Sequence, residues 1–251
     1  MIALKRSLQI HRGRWAAAQT YERGYWERLS HGIAQGAVPQ LDWYQWRAAR
    51  LERLLSTLRE PPGVRGCAVE IGSGPIGIVN FLDWKNRYAI DPLEGFYRQQ
   101  QDLVRLRRPG TVYIEGGGEQ LPIDSGSASL VVIDNVIDHT YAPDRIMDEI
   151  YRVLEPAGRL YLVVNVHTRW GALLHKALAA LAIDKGHPYT FTSQALRRFL
   201  ARHKFSILLE DVEQYDAAKQ ADRESAKRTD RIKAYTGLSE FQHLVICSKQ
   251  A

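Results

Sequence analysis

The sequence predicts an α/β protein built on a doubly wound, largely parallel sheet. Three observations carry this reading. After Gly66, short β-rich runs alternate with helical stretches. A glycine-rich segment from Val69 to Gly77 stands where the first strand should turn into the first helix. The last two β-rich runs have no helix after the second, which reads as a C-terminal antiparallel strand pair. Composition agrees: 251 residues, 45% hydrophobic and 25% charged, suffice for one large core and exclude extended disorder. No apolar run reaches the roughly 18 residues of a membrane span. The basic start, Met1 to Trp15, lacks the apolar core and cleavage site of a secretory signal. Cys67 and Cys247 sit inside apolar runs and read as buried thiols rather than a bridge. A reducing, cytoplasmic setting is expected.

Residues 1–62 are expected to form an N-terminal helical appendage. Leu51, Leu54, Leu55 and Leu58 recur at helical spacing, Pro39 separates an upstream helix, and Pro61-Pro62-Gly63 ends the second. The stretch is rich in aromatics: Tyr21, Tyr25, Trp26, Trp43, Tyr44 and Trp46. These rings are expected mainly to pack onto the main domain, with a few left to line a substrate mouth. Residues 1–65 hold eleven basic and five acidic side chains, the whole of the +6 formal excess. Such a face meets phosphates or anionic lipid, or is simply a solvated helical surface.

The main domain is expected over 63–251. Its strands are predicted at 67–71, 87–91, 112–115, 130–134 and 159–165, with helices at 76–84, 95–107 and 143–154 between them. The final strands are predicted at 205–212 and 241–248. Between these two, residues 214–240 form a polar insertion that reads as an exposed helix or arm. A Leu- and Ala-rich helix at 170–183 follows the fifth strand. It packs in the core or roofs a groove for a greasy acceptor.

In the glycine segment, Gly72 and Gly74 let the backbone turn sharply and approach a ligand closely. Asp91 ends the second strand, which neighbours the first in a doubly wound sheet. Its carboxylate can therefore accept both hydroxyls of a ribose beside the glycine loop. Gly72-x-Gly74-x-x-Gly77 also satisfies the dinucleotide fingerprint. Against a nicotinamide cofactor stand Glu70 inside the strand, Pro75, which removes an amide a pyrophosphate would use, and the terminal strand pair.

These residues resemble the class I S-adenosylmethionine-dependent methyltransferases over roughly 66–165, with weaker agreement in the last two strands. Glu70-Ile71-Gly72-Ser73-Gly74-Pro75 is similar to the family's first motif, and Asp91-Pro92 to its second. Gly116-Gly117-Gly118-Glu119-Gln120-Leu121-Pro122 resembles the segment that runs past the adenine. Asn135-Val136-Ile137-Asp138-His139 resembles the motif after strand four. The run from Glu149 to Leu160 is similar to the helix and turn before strand five. The resemblance implies a Rossmann-like seven-stranded sheet and S-adenosylmethionine as cofactor. It also implies that Glu70, Gly72, Ser73 and Gly74 shape the site and that Asp91, with Pro92 beside it, holds the ribose. Glu119, Gln120 and Leu121 would line the adenine, and Asn135 the methionine end. Three departures stand out. Gly117 occupies the place where the family often has an acid for the adenine amino group. Ala157-Gly158 replaces a Gly-Gly, and Ala128-Ser129 stands where an acid often precedes strand four.

Methyl transfer is an in-line displacement, so positioning supplies much of the catalysis. A hydroxyl acceptor also needs a base. Asp138 and His139 follow strand four, at the edge where open α/β sheets bind ligands. Both are therefore candidate bases, His139 being useful because its charge changes near neutral pH. Each also reads as an ordinary helix-start residue. His167, after strand five, and His187, in the Gly186-His187-Pro188-Tyr189 loop, are further candidates more readily explained as structural. No HExxH, CxxC or acidic triad suggests a metal. The expected acceptor is a small molecule or a lipid- or sugar-linked biosynthetic intermediate, because no nucleic-acid-binding module is legible. Two other readings stand beside it. One is an RNA methyltransferase gripping phosphates with the basic N-terminal segment. The other is a non-catalytic protein that keeps the fold as a scaffold. The acceptor atom and the oligomeric state stay open.

Overall fold

Seven strands form one sheet in the order β3-β2-β1-β4-β5-β7-β6. They are β1 (Cys67–Ile71), β2 (Asn86–Asp91), β3 (Thr111–Glu115), β4 (Ala128–Asp134), β5 (Leu154–Val166), β6 (Phe205–Val212) and β7 (Phe241–Lys249). The first five run parallel, and β7 is antiparallel to both β5 and β6. This is the predicted doubly wound α/β sheet with its terminal antiparallel pair. The computed structural model describes residues 9–35, 42–58, 65–180 and 188–250. Pro39, the Pro61-Pro62-Gly63 stop and His187 lie outside the described residues.

The sheet is buried on both faces because its strands alternate apolar side chains into two cores. Ala68, Leu130, Val132, Tyr161, Val163, Leu244 and Ile246 point to one face. There they meet Trp26 and Ile33 of α1 (Arg12–Ala34) and Tyr44, Ala48, Leu51 and Leu55 of α2 (Trp43–Ser56). Val69, Ile71, Val131, Ile133, Leu160, Leu162 and Val245 point to the other. That face is covered by α5 (Pro143–Val153) and α7 (Ser193–Arg202) through Ile146, Met147, Ile150, Leu196 and Leu200. Each fully buried Leu or Ile contributes about 1.5–3 kcal/mol. Cys67 and Cys247 are buried, free thiols in these strands, as expected.

Three predicted helices need correction. The helix expected over 76–84 is a single 3-10 turn, Val79–Phe81. Ile76, Ile78, Val79, Leu82 and Trp84 are all buried, a density no single helical stripe accommodates. Gly77 has φ +82° and the Glu70 carboxylate takes the Val79 amide at 2.9 Å, so the segment coils onto its own strand. The long helix expected over 95–107 is two short ones, α3 (Glu94–Tyr97) and α4 (Gln101–Val104). The break falls at Gln100, whose side-chain oxygen accepts the Ser30 hydroxyl of α1 at 3.2 Å. The polar insertion is two helices, α8 (Tyr215–Glu224) and α9 (Arg228–Thr236), folded against each other as a hairpin. The helix expected over 170–183 is present as α6 (Arg169–Ala180), and 181–183 lie outside the described residues.

Candidate active site

A cavity of about 320 Å³ opens at the C-terminal ends of β1, β2 and β4, roofed by α1 and α2. Parallel pairing of β1 with β2 places Ile71 beside Ile90. The glycine loop therefore leaves β1 next to the end of β2. Gly72 N donates to Ile90 O at 2.8 Å, and Gly74 N donates to Asp91 Oδ2 at 2.9 Å. Asp91 Oδ1 accepts the Leu93 amide at 2.8 Å. One buried carboxylate thus fixes both the loop and the turn after β2, and each oxygen keeps a lone pair for a ligand.

The loop glycines are sterically required. Gly72 and Gly74 have φ of +69° and +59°. A Cβ on Gly72 would stand 2.5 Å from Val136 Cγ1, and one on Gly74 2.5 Å from the Tyr44 hydroxyl. Gly74→Ala is expected to lower the melting temperature, through this overlap and a left-handed penalty of roughly 1–2 kcal/mol. Adding Tyr44→Phe should recover part of the loss, because the next Tyr44 atom lies 3.8 Å away. Thermal melts of the single and double variants check this; an additive double variant would deny the contact.

Three acids converge on the cavity. Burial pushes the Glu70 carboxyl up to about 8, against the Val79 and Ile78 amides, which favour its ionised form. Burial likewise raises Asp91 to about 6, opposed by the Leu93 and Gly74 amides. Burial raises Asp134, opposed by the Arg47 guanidinium at 2.9 Å and by the Asn135 amide. These shifts make unliganded stability fall as pH rises. Folded Glu70 keeps its proton up to about 8, whereas an unfolded glutamate loses it near 4.3. Between these values stability declines by up to about 1.4 kcal/mol per pH unit. Glu70→Gln should flatten part of that slope, with Asp91 and Asp134 supplying the rest. Melting temperatures measured across the range test it, and an unchanged slope would count against it.

The structure brings most of the predicted site residues together. Glu70, Gly72, Ser73, Gly74, Asp91, Pro92, Glu119, Asn135 and His139 line the cavity. Gln120, Leu121 and Asp138 do not. Leu121 is buried, its amide donating to Glu149 Oε2 at 2.8 Å, so it backs the wall. Asp138 is also buried, and its Oδ2 lies 3.5 Å from His139 Nε2. It touches the imidazole and not the cavity. His167 is buried outside the cavity, stacked on His175 and 3.5 Å from Glu240. Asn135 is held at φ +54°, unusual for a non-glycine residue, and its side-chain oxygen is buried with no donor among the described residues. Glu119 Oε1 accepts the Tyr141 and Ala142 amides. A Cβ on Gly117 would lie 2.6 Å from Glu119 Oε2. The Glu119 carboxylate thus fills the space an acid at 117 would need.

Sequence reasoning expected a few N-terminal rings at a substrate mouth, and Tyr25, Trp26, Trp43 and Tyr44 are there, but it missed the charged residues of the roof. Glu22 and Trp26 of α1 and Tyr44 and Arg47 of α2 face the cavity, together with Asp134 at the end of β4. The aromatic density of the N-terminal stretch was the one signal for the roof. Four arginines of the basic segment are taken up by acids: Arg23 with Glu27, Arg47 with Asp134, Arg50 with Asp211 and Arg65 with Glu52.

Residues 69–162 match a family model described as a methyltransferase domain. An uncharacterized methyltransferase of Mycobacterium tuberculosis is 36% identical over 77 residues, 31% of this chain and 30% of that protein. The mitochondrial 2-methoxy-6-polyprenyl-1,4-benzoquinol methylase of Homo sapiens is 23% identical over 123 residues, 45% of this chain and 38% of that one. The chain thus spans only about a third of the length of these relatives. Among solved structures, geranyl diphosphate C-methyltransferase from Streptomyces coelicolor A3(2), in complex with Mg2+, geranyl diphosphate and S-adenosyl-L-homocysteine, superimposes with a TM-score of 0.58 at 11% identity. The superposition covers 86% of this chain and 85% of that one, a likeness of fold.

Proposed function

We infer that this chain, whose residues 69–162 form a class I S-adenosylmethionine-dependent methyltransferase domain, transfers a methyl group to a small-molecule or lipid- or sugar-linked acceptor. The observation that carries the reading is Asp91, clamped to the glycine loop at the end of β2 and lining the cavity with acceptor capacity left on each oxygen. That geometry suits a ribose diol. Gly72 and Gly74, which Val136 and Tyr44 press too closely to admit a Cβ, keep the loop backbone bare along the cavity, and this suits close passage of the methionyl chain. The unpartnered Asn135 oxygen suits its ammonium group. The residues present therefore fit S-adenosylmethionine, which when bound supplies an activated methyl on a cationic sulfur.

The chain's own residues then position and deprotonate. Asp91 orients the ribose, Glu119 and the backbone of 116–118 border the adenine side, and Asn135 holds the amino acid end. His139 reaches the cavity with about a third of its side chain exposed and accepts the acceptor's proton. Asp138, behind it, orients the imidazole. Trp15, Tyr25, Trp26 and Trp43 make much of the roof aromatic. This favours an apolar or aromatic acceptor, in keeping with the prenylated compounds in the names of two similar proteins. The pairing of four N-terminal arginines leaves less basic surface for an RNA backbone.

Calorimetry tests the cofactor half. S-adenosylmethionine and S-adenosylhomocysteine should bind, and NAD and NADP should not bind comparably. Tighter binding of a nicotinamide dinucleotide would end the reading. Radiolabelled methyl transfer into a fractionated extract of the source cell, followed by product identification, tests the acceptor half.

A further inference from the structure

Among the described residues after β5, four of the five large exposed apolar side chains stand on two helices, the fifth being Leu208 of β6. On α6, Trp170 and Leu173 are 61% and 64% exposed; on α9, Ile232 and Tyr235 are 49% and 79% exposed. The two helices meet. Trp170 Nε1 donates to Thr236 O at 3.1 Å, and its ring lies against Gly237, the left-handed cap of α9. Leu173 is one turn from Trp170, and Ile232 one turn from Tyr235, so each helix presents its pair on one side.

The exposed charge carried by α6 and α9 themselves is basic, although α8, packed on α9, exposes Asp216 and Glu224 on its own length. Helix α6 contains no acid, and its Arg169 and Lys176 are exposed. Around α9 the exposed charges are Lys227, Arg228 and Arg231. Its one acid, Asp230, is half-buried and accepts the Ser225 hydroxyl at 2.6 Å. The hairpin's other acids, Asp216, Asp222 and Glu224, sit on α8. Protruding Trp, Tyr, Leu and Ile on helices whose own exposed charges are lysine and arginine is the composition of a surface that enters a bilayer interface shallowly and holds anionic headgroups. No described helix is long and apolar enough to span a membrane, so the contact is peripheral.

We propose that the α6–α9 surface docks on an anionic lipid bilayer. The occupant follows from charge complementarity: a cationic rim with no exposed acid on either helix calls for an extended negative surface. Helix α6 begins three residues beyond β5, at the same end of the sheet as the cavity. The docking stands without the methyl-transfer reading; only its use, admitting a lipid-linked acceptor, rests on it.

Vesicle flotation of the full chain is the test. Phosphatidylcholine vesicles are compared with phosphatidylcholine–phosphatidylglycerol vesicles, at low and high salt. The wild-type chain should float with the anionic vesicles, stay behind with the neutral ones, and release in salt. Lys227→Glu with Arg228→Glu should weaken binding by roughly a hundredfold. Trp170→Ser with Tyr235→Ser should weaken it by roughly tenfold or more. Circular dichroism and S-adenosylhomocysteine affinity should not change in either pair. If Trp170→Ser disturbs the packing on Thr236, Leu173→Ser replaces it. The proposal is overturned if the wild type ignores anionic vesicles at low salt, or if folded variants bind as it does. It is equally overturned if light scattering shows a dimer that Trp170→Ser disperses, which would make the surface a contact between copies. Preference for an RNA oligonucleotide over the vesicles would overturn it as well.

Discussion

Asp91→Ala is expected to reduce S-adenosylhomocysteine affinity by roughly a hundredfold or more. Two ribose hydroxyls lose a charged acceptor, each such bond being worth about 1.5–3 kcal/mol, and about 1.4 kcal/mol is a decade in affinity. The alanine also frees Gly74 N and Leu93 N, so the loop loses the tie that holds it closed. The fold should survive, because the side chain stands at a strand end and the strands pair through backbone. The wild type should show a pH signature that the variant lacks. Burial raises Asp91 to about 6, and the ionised form is the one that accepts two hydroxyls. Below about 6 protonation competes with the ligand, so affinity should fall by up to tenfold per pH unit, with a proton released on binding. Titration calorimetry on both proteins reads affinity and proton release together. Unchanged affinity in a folded Asp91→Ala protein would remove Asp91 from the site.

The parts of this molecule that were legible in its sequence are those decided locally. Strands β1, β4 and β5 are dense in Val, Ile and Leu because both faces are buried, and such runs stand out whatever surrounds them. Gly72 and Gly74 were legible because a left-handed turn needs them, and Asp91 because it ends a strand adjacent to that turn. What was decided at a distance stayed hidden. The 95–107 helix breaks where Ser30 of a remote helix meets Gln100. The 76–84 segment coils because Glu70 captures the Val79 amide. Arg47 reaches Asp134 across 87 positions of sequence, and no local pattern near either residue announces it. Asp138 looked equivalent to its neighbour on the chain, yet the 3-10 turn Ile137–His139 sends one side chain inward and the other to the cavity.

That division between Asp138 and His139 makes the base assignment testable. His139→Ala should lower turnover by about a hundredfold or more, the scale of a lost general base, with S-adenosylhomocysteine affinity almost unchanged. Asp138 touches the ring at 3.5 Å and does not face the cavity, so with His139 as the base it would act through the imidazole. Asp138→Asn keeps the imidazole and replaces the carboxylate beside it with a neutral amide. Its turnover should fall less than that of His139→Ala. A purely structural His139 predicts the opposite pattern: a stability loss of about 1 kcal/mol, as for a missing helix cap, and full turnover per folded molecule. Melting temperature and turnover measured on the same preparation separate the two. Full turnover in folded His139→Ala would reject His139 as the base, and a residue elsewhere on the cavity wall would then have to accept the proton.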